Sequence, residues 1–291
     1  MNDPVEVSIW SPEQLSLGEG PLTHHLRNSL IWCDINERVI YEKPFVGDAV
    51  RVHHLPVVPS AAGILDERRI LVATEVDFRE LDLESGAVEV QIEFPMGTDL
   101  RSNDGRVHPC GAFWIGTMPK DGRSKPGAIW RLFRGSLTLM IDSVMIPNSI
   151  CFAADGSKAY YTDTPSRAIW QVPTDPATGE VTGEREVFVS LSDEDAGGPD
   201  GSVLDGDGNL WNARWGGAAV DVYDSGGTRI HSFKVPVRQP TCPAFVGANL
   251  DQIVVTSART GLSPNDRNEA DGAVLQIHTP VRGRAEPLVQ P

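Results

Sequence analysis

The stretch Ala154-Asp155-Gly156-Ser157-Lys158-Ala159-Tyr160-Tyr161-Thr162-Asp163, followed by Arg167-Ala168-Ile169-Trp170-Gln171-Val172, decides the fold. Asp155-Gly156 supplies the positive φ angles of a tight turn. The segment 159–163 is a short apolar strand ending on a polar residue, and 167–172 alternates with the period of two that marks a half-buried strand. The same unit recurs at 30–34, 70–74, 113–117, 210–214 and 253–257. Its last residues are Asp34, Thr74, Thr117, Asp163, Arg214 and Ser257, so the unit repeats every 40 to 51 residues. Alternating second strands follow at 127–132, 219–223 and 272–277. This spacing is that of propeller blades, and no long window carries the helical period of 3.6. The expectation is an all-β fold, a six-bladed β-propeller formed as one domain over residues 1–291. The strand around Val7-Trp10 is expected to close the ring beside the last blade. The first strand of each unit is expected to line the central channel, where residues distant in sequence meet.

Composition narrows the function. Hydrophobic residues make up 40% and charged residues 22% of the 291, which excludes a disordered or fibrous chain. The 28 glycines and 22 prolines are the punctuation of many short strands. Forty acidic residues against 25 basic ones give a net charge of −15, the wrong sign for nucleic acid or an anionic membrane as partner. No apolar run approaches the length of a membrane helix, and Met1-Asn2-Asp3-Pro4 lacks the features of a signal peptide, so a cytoplasmic location is expected. Cys33, Cys110, Cys151 and Cys242 are scattered without a CxxC pair, which indicates neither a zinc knuckle nor a disulfide framework.

The sequence lacks GxSxG, HExxH, GxxxxGK[ST] and a GxGxxG opening a helix, and its seven histidines have no metal-ligand spacing. Oxygen donors remain. Glu19 in Leu17-Gly18-Glu19-Gly20-Pro21, Asn148 in Ile146-Pro147-Asn148-Ser149 and Asp200 in Gly198-Pro199-Asp200-Gly201 stand in turns where the backbone can aim them. Each alone is an ordinary turn residue. Together they suit a hard divalent cation and leave coordination places open for water and substrate.

These motifs, with Arg101-Ser102-Asn103-Asp104-Gly105-Arg106, Phe113-Trp114-Ile115-Gly116-Thr117-Met118 and Tyr161-Thr162-Asp163, resemble in order and spacing the regucalcin/gluconolactonase (senescence marker protein) family, from about residue 15 to residue 277. The resemblance implies a six-bladed propeller with one divalent metal in its channel, calcium, zinc, manganese or iron, that hydrolyses sugar lactones. It implies Glu19, Asn148 and Asp200 as metal ligands, Arg101 and Asn103 as contacts to substrate hydroxyls, and Asp200 as the group that takes the water proton. The chemistry agrees: a cation polarises a lactone carbonyl, a carboxylate accepts a proton, and Arg and Asn offer the donors and acceptors a polyol needs. For Arg101 the residue pattern also admits an ion pair with Asp99 or Asp104. Glu75, Asp163, Arg214 and Trp215 are further candidates for the pocket wall, and Asp121 falls where some relatives carry an acidic lid residue. Departures from the family pattern are Leu22-Thr23-His24 and the turn His108-Pro109-Cys110-Gly111. Two other functions share this residue set: a broader esterase or phosphotriesterase, and a calcium-binding propeller without catalysis.

Overall fold

The computed structural model describes residues 5–95 and 97–291. It is an all-β, six-bladed β-propeller: six four-stranded antiparallel sheets, each built from consecutive strands except the last. That sheet takes Val7–Ser11 as its outermost strand, paired with Val274–Ile277, so the ring closes as expected. Helix is confined, among the described residues, to the short 3-10 turns Thr164–Ser166 and Pro264–Asp266. Among the described residues no helix is long and apolar enough to cross a membrane.

One expectation is corrected. The strands that set the repeat are the second strand of each blade. The innermost strands, which touch one another around the axis, are Gly18–His24, Pro59–Ile64, Leu100–Val107, Pro147–Phe152, Gly198–Leu204 and Pro240–Val246. The reason is packing. A second strand is covered on both faces by neighbouring blades and flanked by strands on both edges, so it reads as an apolar run. Leu30, Ile31, Trp32 and Cys33 are all essentially inaccessible. The innermost strands crowd at the axis and are rich in Gly, Pro, Ser and other polar residues, which hides them from a search for apolar runs.

The core is not one mass but six clusters, each lying between two adjacent blades. Ile31, Ile40, Ile64 and Val72 join the first blade to the second, and Trp211, Val220, Phe245 and Ile253 join the fifth to the sixth. The seam between the last blade and the first is filled by Leu15, Leu30, Trp32, Val254 and Val274, with Trp32 stacked on Tyr41 at 5.4 Å. No blade can bury both faces without its neighbours.

Past the last strand, the chain runs across the end of the channel at which the innermost strands finish. Gly283 N donates to Leu250 O (2.7 Å), Arg284 Nη2 to Phe152 O (3.0 Å), Val289 N to Ile64 O (2.7 Å) and Gln290 N to Gly111 O (2.8 Å). This tail therefore bonds to the second, third, fourth and sixth blades and floors the channel.

Candidate active site and metal centre

At the opposite end of the channel, the innermost strands begin, and there each one breaks register with its second strand: at Glu19/Leu22, Pro59/Ala61, Ser102/Gly105, Asn148/Cys151, Pro199/Ser202 and Pro240/Pro243. Such bulges re-aim side chains. The repeat-setting residues fix the register. Gly18 pairs with Asp34, Pro59 with Thr74, Ser102 with Thr117, Pro147 with Asp163, Pro199 with Arg214 and Pro240 with Ser257. The next residue in each inner strand is Glu19, Ser60, Asn103, Asn148, Asp200 or Thr241, one per blade, all buried and all bearing a side-chain oxygen. Two of these bulges use the left-handed region, Gly20 at φ 57° and Ser149 at φ 58°. A Cβ at Gly20 would stand 2.6 Å from Ser60 O, so only glycine fits between the first two blades.

Four of these six residues, Glu19, Asn103, Asn148 and Asp200, line one pocket of about 390 Å³ together with Arg101, Lys120, Met118, Thr164 and Trp215. The other two join blades instead: Ser60 Oγ donates to Ser102 Oγ (2.7 Å), and Thr241 Oγ1 to Gly18 O (2.6 Å).

Hydrogen bonds hold the wall in one arrangement. Asn148 Nδ2 donates to Thr164 Oγ1 (3.0 Å), and Thr164 Oγ1 donates to Pro199 O (2.9 Å). The Asn148 amide is thereby oriented, and its Oδ1 accepts from Asn103 Nδ2 (3.0 Å). Asn103 Nδ2 also donates to Pro147 O (2.9 Å), while its Oδ1 accepts from Arg101 Nη1 (2.9 Å). Asn103 thus uses both amide hydrogens on the protein and steers Asn148. Arg101 makes no ion pair with Asp99 or Asp104; its Nη1 serves Ser102 O and Asn103 Oδ1, and Nη2 and Nε remain for the pocket. The backbone of Asp200 is pinned through its carbonyl, which accepts from Asn212 Nδ2 (2.9 Å) and from the Ser149 hydroxyl.

The charges are unusual. Burial, and then the Asp104 carboxylate, push the Glu19 carboxyl up to about 8. Burial, Glu19 and Asp104 hold Asp200 well above the ordinary carboxylate range. Burial alone lifts Asp104 to about 6, though it accepts a hydrogen bond from Ile150 N (2.7 Å). Three acids crowd one dry region with Arg101 and Arg106 as the nearby cations. Among the described residues no three His, Cys, Asp or Glu side chains cluster as a metal site. An ion here would take two carboxylates and an amide oxygen, from Glu19, Asp200 and Asn148. That donor set is all oxygen and carries enough negative charge to fit a hard divalent cation, which would relieve the mutual repulsion of Glu19 and Asp200.

Residues 17–259 match the profile of the SMP-30/gluconolactonase/LRE-like region. The chain belongs to this family. Among SMP-30/gluconolactonase relatives, it is 36% identical to an L-arabinolactonase of Azospirillum brasilense, over 89% of this chain and 86% of the other. It is 32% identical to the pentonolactonase XacC of Haloferax volcanii, over 93% of both. A crystal structure of a calcium-binding protein, regucalcin, from Agrobacterium tumefaciens superposes with a TM-score of 0.95 at 37% identity, covering 98% of this chain and 97% of that one.

In this member of the SMP-30/gluconolactonase family, the remaining wall candidates divide. Trp215 lines the pocket. Asp163 Oδ1 instead accepts from Ile146 N (2.9 Å), and Arg214 is buried against Asp221 (2.8 Å) while donating to Ala196 O (2.7 Å). Asp121 is spent on its own turn, accepting from Arg123 N and Ser124 N at 2.9 Å, and its neighbour Lys120 lines the pocket, paired with Glu75 at 2.6 Å. Sequence reasoning missed Asp104, Asn212, Thr164 and Lys120. The first was within reach, because it follows Asn103 in a quoted motif; Thr164 and Asn212 position their partners through hydrogen bonds to residues distant in sequence.

Proposed function

We propose that the chain is a divalent-metal-dependent lactonase that opens sugar lactones to aldonic acids. The observation that carries this reading is the convergence of Glu19, Asp200 and Asn148 with Arg101 in one pocket of a chain whose relatives include named lactonases. Glu19, Asn148 and Asp200 would hold the cation. When bound, it supplies Lewis-acid polarisation of the lactone carbonyl.

The protein's own groups supply the rest. Arg101 presents Nη2 and Nε as a planar pair of donors to ring or hydroxyl oxygens, and its guanidinium is held still by Ser102 O and Asn103 Oδ1. Trp215 and Met118 give the sugar ring apolar surface and keep bulk water from the wall. Asp200, fixed through its backbone by Asn212 and Ser149, has a carboxylate whose affinity for a proton is raised by burial and by Glu19. A base of that kind takes the proton of the attacking water readily and returns it to the leaving ring oxygen. Asn103 keeps the Asn148 oxygen pointing in one direction throughout.

The test is turnover of five- and six-membered aldonolactones above spontaneous hydrolysis, after chelation and after re-addition of calcium, manganese, zinc or ferrous iron. An aryl ester and a phosphotriester run beside them. Lactone turnover that vanishes with chelator and returns with a cation supports the reading. A chain that accelerates no lactone with any of the four cations is not a lactonase.

A further inference from the structure

A second cavity, of about 190 Å³, lies at the opposite end of the channel from the pocket, between the tail and the ends of three innermost strands. Its wall carries Arg106, Arg284 and Glu286 together with apolar surface from Cys151, Phe152 and Val203. We propose that this cavity binds a small oxyanion, of the carboxylate or phosphate class, between Arg106 and Arg284.

Three observations carry the proposal. The first is charge. Two guanidinium groups face one carboxylate. Glu286 pairs with Arg106, and Arg284 has no carboxylate partner among the described residues; its one hydrogen bond to protein runs from Nη2 to Phe152 O. The second is unmet donors. Nε of Arg106 and Nε of Arg284 are both buried without a hydrogen-bond partner, an arrangement that native proteins rarely leave unanswered. Arg106 keeps only 10% of its side chain exposed, and its Nη2 finds nothing better than the Cys242 sulfur at 3.9 Å. The third is shape. Arg284 and Glu286 belong to the tail, whereas Arg106 belongs to the third blade, so the site is assembled only when the tail crosses the floor.

Planar guanidinium forks suit carboxylate and phosphate oxygens, and a cavity walled by apolar side chains strengthens such charge-assisted bonds. Glu286 competes with the anion for Arg106. Asp104 lines a separate small cavity that shares Arg106 and Glu286 and is not part of this one's wall.

Calorimetric titration of the full chain with inorganic phosphate and, separately, with gluconate, at ionic strength held constant with chloride, reads the site and tells which oxyanion it takes. The expected result is saturable one-to-one binding of at least one of them. Arg284→Gln should weaken it tenfold or more. Glu286→Gln, which frees Arg106, should tighten it several-fold. Binding to the pocket of Glu19 and Asp200 would be insensitive to both substitutions. No binding of either anion, or binding that neither substitution changes, overturns the proposal. If Arg284→Gln does not fold, Glu286→Gln decides alone: tighter binding supports the site, and unchanged or weaker binding removes it.

Discussion

Replacing Glu19 by Gln should make the metal-free protein more stable at neutral and alkaline pH while weakening its response to cation. The Glu19 carboxyl is raised from 4.5 to about 8 by burial and by Asp104. Its folded form therefore keeps a proton that the unfolded chain has released. Where the folded state binds more protons, stability falls as pH rises. The loss starts near the unfolded pKa and continues through the folded one, at about 1.4 kcal/mol per pH unit. Between pH 5 and pH 8, Glu19 alone should therefore cost the chelated wild type about 4 kcal/mol. A neutral amide at this position removes that slope. The cation acts in the opposite sense, since it requires the deprotonated carboxylates and stabilises by mass action, so its gain should grow from pH 5 to pH 8. The assay is denaturant unfolding at unit pH steps, with chelator and with each cation, for wild type and Glu19→Gln. Equal pH slopes in the two chelated proteins, or a cation gain that is the same at pH 5 and pH 8, would refute the reasoning.

Asp200→Asn keeps a carbonyl ligand but loses the base, so kcat should collapse by two orders of magnitude or more while metal content, read by elemental analysis, falls much less. Arg101→Lys replaces a planar fork by a point charge and should act mainly through KM. Asn212→Leu removes the amide that holds Asp200 O, Ser149 and Ser202, with an expected cost of about 2 kcal/mol in unfolding free energy and a fall in kcat; an unchanged kcat would mean that Asp200 needs no such support. Leu30→Ala, at the seam between the first and last blades, should cost about 2–5 kcal/mol and still leave one cooperative transition, because each core cluster is shared by two blades; two separated transitions, or a proteolytic fragment that refolds alone, would contradict this.

The blade count was legible because the second strands announce themselves: a run such as Leu30-Ile31-Trp32-Cys33 is buried on both sides, and its period survives any variation in loop length. The layer next to the axis was not, since Gly18–His24 or Gly198–Leu204 is mostly glycine, proline and polar residues and reads locally as a turn. The same register that hid those strands could have exposed the site. Counting one residue on from the partner of each repeat-setting residue gives Glu19, Ser60, Asn103, Asn148, Asp200 and Thr241, but the pairing itself is a three-dimensional fact. The exchange of Asp121 for Lys120 at the pocket is of the same kind. Asp121 satisfies two backbone N–H groups of its own turn, a local option open to any Asp at that place, and this leaves the neighbouring side chain to face inward.

The pairing of Val7 with Ile277 sets the order in which the molecule can be completed. A strand at one end of the sequence must wait, with neither edge paired, until a partner some 270 residues downstream has emerged from the ribosome. For that interval the early blades present an open flank to any other strand in reach. Cutting the ring in a loop between two blades, and joining the present ends through a linker long enough to return from the third blade, where Gln290 bonds Gly111, to the last, would bring the two strands of this late encounter near each other in sequence. Such a permutant would carry the same blades and pocket yet need no long-distance search within its last sheet.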